Sequence, residues 1–140
     1  MIDYSKLITK EGKLAACKAA SLAEIDADVD LIYGTIMGNR QSEYAMAEAD
    51  ALSYKAAAYP ATPVPSSVQS WATAKNQTTT WAADNILATA TSWRTAQANL
   101  RANRLGKKEL VRACSTAAAV SVVMASWTGF VAAMRGALGL

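Results

Sequence analysis

The acidic residues come nearest to a catalytic arrangement in this sequence. Glu24 and Asp28 lie four residues apart, as do Asp26 and Asp30, so each pair would share one face of a helix. Two carboxylates on one face are able to take part in a metal site or in acid–base catalysis. However, the sequence contains no histidine, the commonest general base near neutral pH and the commonest metal ligand. We therefore interpret the acids as a solvated face and expect no catalytic residue, metal ligand or cofactor.

The other reactive residue types are also poorly placed for chemistry. Cys17 and Cys114 lie far apart in the chain, each in an alanine-rich context, which predicts two free thiols in a reduced cytoplasm. None of the seven glycines forms a phosphate-binding motif of the GxGxxG or GxxxxGK[ST] type. A nucleophilic serine needs an activating base, and a serine–lysine pair is the arrangement that the sequence leaves open. The favoured interpretation is a protein that binds other proteins and is not an enzyme.

The charge balance gives weak support for a nucleic-acid partner. The net charge is +3, and the one dense basic run contains Arg101, Arg104, Lys107, Lys108 and Arg112. Such a run is either a solvated helix face, or the rim of a coiled coil, or a surface for DNA or RNA. We favour the solvated face and predict no nucleic-acid partner.

One long segment carries no charge. Residues 113–134 lie between Arg112 and Arg135 and are long enough to span a bilayer. They are mostly alanine, serine, threonine and valine, without leucine or isoleucine, so the free energy of membrane insertion would be weak. We favour a helix covered by other helices over a membrane span. The first residues of the chain also lack the apolar region of a signal peptide.

Apolar residues at three- and four-residue spacing predict helices through most of the chain. A turn is expected at residues 34–39, and Ser66 or Ser67 is expected to cap a short third helix. Gly106 is expected either to interrupt the long helix or only to soften it, before a last helix at about 107–135. Three prolines within six residues exclude a continuous helix between Tyr59 and Ser67. The prediction is a single helical module with a leader at 1–10, N-terminal helices at 11–58, a proline-rich turn at 59–67 and C-terminal helices at 68–135.

The longest predicted helix carries a heptad pattern. Ile86, Trp93 and Leu100 are seven residues apart, and Ala90, Gln97 and Arg104 occupy the alternate positions. This spacing is typical of a coiled-coil seam. We therefore predict an all-α fold, an elongated bundle or helical hairpin of four to five helices, oligomeric with coiled-coil-like packing and with a trimer as the first expectation.

Large side chains among the alanines mark the candidate protein interface. The four tryptophans, at positions 71, 81, 93 and 127, either fill the core or act as interface anchors, where tryptophan is enriched. The predicted interface residues are Trp71, Trp93, Leu100, Val120, Val123, Met124, Trp127, Phe130 and Val131.

Residues 22–113 show a recognisable pattern. An alanine-rich helix ends at Tyr59-Pro60, a second proline turn follows at Val64-Pro65, and a Trp-Arg pair at Trp93-Arg94 precedes a basic helix. An Ala-Ala-Asp-x-Ile-Leu-Ala run also lies at residues 82–88. The pattern resembles small alanine-rich helical proteins encoded in the tail-fibre region of tailed bacteriophages. The chain departs from it at residues 33–41, which lack a proline, and in its more apolar last segment.

This resemblance implies a role in the virion or its assembly and implies no reaction. The favoured hypothesis is a structural component of the phage tail, made in the host cytoplasm, that binds tail-fibre or baseplate proteins through helical packing. One alternative is a tail-fibre assembly chaperone that the virion does not retain. A second alternative is a small phage membrane protein that spans with residues 113–134.

Overall fold

A computed structural model describes residues 9–140, and every regular element within them is an α-helix. The all-α prediction is therefore confirmed for this part of the chain. The predicted leader lies outside the described residues except for its last two, and Lys10 already belongs to the first helix. The helices are α1 (Lys10–Ile36), α2 (Gln41–Ala56), α3 (Ser66–Lys75), α4 (Thr79–Ala113) and α5 (Ala117–Ala137).

The described chain divides into two compact units. Unit 1 contains residues 9–35 and 98–140, which form α1, the second half of α4, and α5. Unit 2 is Ile36–Gln97, with α2, α3 and the first half of α4. The proline-rich turn thus lies inside unit 2.

The core of unit 2 is built from small residues around one tyrosine. Tyr54 is 3% exposed, and its hydroxyl lies 2.9 Å from both the Pro60 carbonyl oxygen and the Thr79 Oγ1. The hydroxyl therefore joins α2, the proline turn and the start of α4. Alanines let the helix backbones approach closely around it, because they add little volume between helices. The buried residues of this core are Ala51, Tyr54, Val68, Ala72, Ala82 and Ala83.

Side-chain contacts hold the proline-rich turn in place. Ala58 and Tyr59 have positive φ angles of 64° and 54°, a conformation that residues other than glycine rarely adopt. The Tyr59 ring packs edge-on against Tyr54, with centroids 5.6 Å apart, and its hydroxyl donates to Asp84. This hydrogen bond raises the pKa of Tyr59, because ionisation would remove the donated proton.

The predicted serine cap of α3 is wrong. Pro65, with φ −56° and ψ 140°, occupies the N-cap position and the cap has no side-chain hydrogen bond. Because the extended backbone of Pro65 already precedes the helix, Ser66 and Ser67 fall inside its first turn. The Ser67 hydroxyl instead donates to the Asp50 carboxylate at 2.7 Å, which joins α3 to α2.

Unit 1 buries one stripe from each of its helices. The buried residues of α1 are Ser21, Ile25, Val29 and Ile32, which lie at the three- and four-residue spacing of one helix face. The expected turn at residues 34–39 is shorter, since α1 continues through Gly34 to Ile36. The other residues that unit 1 buries are Leu100, Val111, Val120, Trp127 and Met134.

Gly106 does not interrupt the long helix, so the predicted start of the last helix at about residue 107 is wrong. α4 continues through Gly106 to Ala113, and the break comes at residues 114–116. A glycine inside a helix costs only about 1 kcal/mol, which neighbouring turns readily offset. Thr116, by contrast, is a true helix cap: it has extended backbone angles, and its hydroxyl accepts a hydrogen bond from the Ala119 backbone amide at 3.1 Å. The cap starts α5 and therefore decides where the chain breaks.

Replacing Gly106 by alanine is expected to raise the free energy of unfolding by about 1 kcal/mol. Gly106 is exposed, and a Cβ built there meets no atom within 4 Å, so alanine adds helix propensity without a clash. Urea denaturation followed by far-UV circular dichroism measures the change. A loss of stability would mean that α4 does not continue through this position.

Candidate interaction surface

The inner face of α5 packs within unit 1. Trp127 is fully buried, its indole Nε1 donates to the Asp28 carboxylate at 2.9 Å, and its ring centroid lies 5.4 Å from that of Phe130. Val120 and Met134, seven residues before and after it, are also buried. The inner face thus follows a heptad spacing, as the face of a helix in a bundle does.

The opposite face of α5 is exposed and made of small residues. We call it the outer face, and its residues are Ala118, Val122, Ala125, Gly129, Ala132 and Gly136. Their spacing alternates between four and three residues, which is again the heptad pattern. Val122 is the largest of them and is 71% exposed. The outer face carries no charged side chain, although about 25% of the residues in a typical soluble domain are charged.

The described residues do not cover α5 as a core helix would be covered. In residues 9–140 this is the one helix that is long and apolar enough, by length and composition, to cross a membrane. Only 17% of its most apolar stretch is buried. The predicted span at residues 113–134 is not one helix, because α4 ends at Ala113 and α5 begins at Ala117. α5 also contains the charged Arg135 in its last turn.

The structure separates the predicted interface residues into three groups. Leu100, Val120 and Trp127 are buried within the chain and are not available as exposed anchors. Trp71 and Trp93 are half-buried in unit 2, and the Trp71 indole donates to Asn85 at 2.9 Å. The remaining four residues are half-buried at the edges of the inner face of α5: Val123, Met124, Phe130 and Val131.

The small outer face was therefore missed by reasoning from large side chains. The sequence does contain a pattern that marks the outer face: small residues repeat along α5 with the same heptad spacing as the buried stripe, two residues away from it. The candidate interface was chosen by side-chain size, whereas these large residues are buried or half-buried within unit 1 or unit 2. The predicted seam of α4 is likewise an inward or half-buried face: Leu100 is buried, and the other five members are half-buried.

Most of the basic run on α4 is engaged by neighbouring groups. Arg104 and Lys108 pair with Asp26 at 3.2 and 2.6 Å, and Lys107 donates to the Ser126 hydroxyl at 2.7 Å. Arg112 pairs with Glu109 one turn earlier on the same helix. These pairings fit a solvated helix face better than a surface that binds nucleic acid.

The acidic face predicted on α1 is only partly solvated. Asp26 accepts from Arg104 and Lys108, and Asp28 accepts from the Trp127 indole, so two of the four acids join α1 to its neighbours. Glu24 and Asp30 are exposed. No group of three or more potential metal ligands lies close together in residues 9–140.

The contacts of Asp26 depend on its charge. The hydrogen bond from Lys108, with further help from Arg104, holds the pKa of the Asp26 carboxyl below its ordinary value of 3.8. A lowered pKa in the folded chain contributes stability that is present above the unfolded pKa and is lost as the pH falls through the folded pKa.

Asp26→Asn is expected to lower the free energy of unfolding at neutral pH by about 1 kcal/mol. The effect is limited because the Asp26 side chain is 41% exposed and water screens the pair, whereas Lys108 is only 15% exposed and loses its partner. The difference from the parent chain should shrink as the pH falls below about 4, where the carboxyl of the unfolded chain takes up its proton, and should vanish below the lowered pKa of the folded carboxyl. Urea denaturation at a series of pH values measures it, with the exposed Asp30→Asn as the matched control. An unchanged difference across the acid range would contradict a charge-dependent role.

Two open grooves are among the concave features of the described residues. One, of about 520 Å³, lies at the start of α2 and is lined by Gly38, Asn39, Gln41, Ser42 and Ala45. The second, of about 450 Å³, belongs to unit 1 and contains the Asp26–Arg104 pair. Neither groove combines a nucleophile with a base that would activate it.

No protein-family model, curated protein or solved structure matches this chain.

Proposed function

We propose that this chain is a structural component of a bacteriophage tail that packs against tail-fibre or baseplate proteins through the outer face of α5. The observation that carries the proposal is that face: exposed, uncharged, and spaced for packing against another helix. The phage context comes from the sequence pattern, above all its paired proline turns and its Trp-Arg pair.

The size of the face bears on the kind of partner. A helix of 21 residues is about 31 Å long and about 10 Å wide, so one helix–helix contact would bury on the order of 300 Å² per chain. Stable interfaces bury about 800 Å² per partner. A single contact between two α5 helices is therefore too small. A trimer in which each α5 meets two neighbours, or a fibre protein that covers more than this face, suits the proposal better.

Mass spectrometry of purified virions tests the proposal. We expect the chain at a fixed ratio to the fibre or baseplate proteins, retained after salt washing, because an uncharged contact does not weaken with ionic strength. A chain that is absent from virions and co-purifies only with immature fibre would instead be an assembly chaperone.

A small phage membrane protein is the second candidate, because α5 has the length and composition of a membrane span. Insertion of α5 alone would break the Trp127–Asp28 and Lys107–Ser126 hydrogen bonds, which favours the tail role. Fractionation of expressing cells separates the two. Recovery without detergent would exclude the membrane role, and recovery only in the detergent-soluble membrane fraction would exclude the tail role.

A further inference from the structure

Three polar contacts set how α1 and α4 pair within unit 1. Lys18 Nζ donates to the Arg112 carbonyl oxygen at 2.7 Å, and the Asp26 carboxylate meets Arg104 and Lys108 at 3.2 and 2.6 Å. Residue numbers thus rise along α1 as they fall along α4. The two helices are antiparallel, and the start of α1 lies beside the end of α4.

The two cysteines lie at this shared end. Cys17 directly precedes Lys18, Cys114 comes two residues after Arg112, and both are half-buried. Cys17 is one helical turn before the buried Ser21 and therefore lies on the inward face of α1.

Cys114 lies directly after the end of α4. It is three residues after the buried Val111, and its backbone amide donates to the Val111 carbonyl oxygen at 3.2 Å, so it follows the inward face of that helix. The Lys18–Arg112 hydrogen bond brings the neighbours of the two cysteines within reach of one lysine side chain.

We propose that Cys17 and Cys114 form an intramolecular disulfide when the chain is oxidised, which fastens the start of α1 to the turn between α4 and α5. Facing positions on helices with axes about 8–10 Å apart bring Cα atoms into the range of about 4.4–6.8 Å that a disulfide needs. Cys114 lies just past the end of α4, where its backbone is not fixed by a following helical turn. Its thiol gives up a weak hydrogen bond to the Leu110 carbonyl oxygen.

The oxidant is a small disulfide such as oxidised glutathione. One cysteine thiolate attacks it, forms a mixed disulfide and releases one glutathione thiolate. The second cysteine thiolate then attacks the protein sulfur of that mixed disulfide, so the Cys17–Cys114 bond forms and the second glutathione thiolate leaves. Two protein thiols are oxidised, one glutathione disulfide is reduced, and the two released thiolates take up the two protons.

The biological setting of this step rests on the proposed function. A tail protein is made in a reducing cytoplasm and passes into an oxidising medium when the host lyses. The chain would assemble with free thiols and become cross-linked afterwards. The bond would stabilise the folded chain, because it restricts the unfolded chain over the long segment between the cysteines.

Oxidation of the isolated full-length chain with oxidised glutathione tests the proposal. Intact-mass measurement should find a monomer lighter by two hydrogen atoms and without attached glutathione, and the yield should not depend on protein concentration. The oxidised parent chain should unfold at a higher temperature than the reduced one. Cys17→Ser and Cys114→Ser are the matched controls, and each should keep one attached glutathione and show no such rise.

Three results would overturn the proposal: two attached glutathiones, disulfide-linked dimers, or an unreacted chain. Because the parent chain alone gives these results, the conclusion does not depend on how well the serine variants fold. The measurement uses no virion, so its failure is distinct from the absence of the chain from purified tails.

Discussion

Replacing Trp127 by alanine is expected to destabilise the chain by about 3–5 kcal/mol. Trp127 is fully buried, packs beside Phe130 and donates a hydrogen bond to Asp28. Alanine would therefore leave a cavity, and the half-buried Asp28 carboxylate would lose its partner. Urea denaturation followed by far-UV circular dichroism measures the loss and does not depend on tryptophan fluorescence.

Trp127→Phe separates the two contributions of this side chain. Phenylalanine keeps an aromatic ring in the core and removes the indole donor, so we expect a smaller loss of about 1–3 kcal/mol. A loss below about 1 kcal/mol for the alanine variant would place Trp127 outside the core. The alternative role of Trp127, as an anchor at a protein interface, would then be preferred.

A charge on the outer face of α5 is expected to have the largest effect on function. Ala125→Glu should reduce incorporation into phage tails by at least about tenfold, because a tight helix–helix contact would bury an unpaired carboxylate at a cost above about 1.4 kcal/mol. Stability of the isolated chain should change by less than about 0.5 kcal/mol, since Ala125 is exposed. Complementation of a phage lacking the gene, with quantification of the chain in purified virions, gives the measurement.

Ala102→Glu is the matched control for this variant. Ala102 is an exposed alanine in the α4 part of unit 1, so the same substitution adds the same charge away from the outer face of α5. We expect incorporation like that of the parent chain. Equal incorporation of both variants would remove the outer face from the proposed contact, whereas equal loss would point to a general effect of charge.

Helical spacing made much of the fold predictable. Ile25, Val29 and Ile32 could be assigned to one buried stripe because their spacing matches a helix, and the prolines between Tyr59 and Ser67 excluded one there. The boundary between α4 and α5 was missed because glycine suggests a break, whereas Gly106 merely weakens a helix. α5 begins instead after Thr116, whose hydroxyl caps the first turn of that helix.

The polar contacts of unit 1 could not be read from sequence. Asp26 pairs with residues 78 and 82 positions away, and Asp28 with Trp127 at a separation of 99. Periodicity describes one helix at a time and gives no register between helices, so these acids looked like a solvated face. The candidate surface was missed for a related reason: in a helix with two heptad stripes, residue size does not say which stripe faces a partner.

The small side chains of the outer face also affect the entropy of binding. Alanine and glycine have no side-chain rotamers to lose when a partner covers them, whereas long side chains each lose about 1.5–2 kcal/mol. Five of the six outer-face residues are alanine or glycine, and the sixth, Val122, is stiff at its first torsion. Docking would therefore order almost nothing on this side of the contact. For the same buried area, this face would therefore give a more favourable binding free energy than a face of flexible side chains.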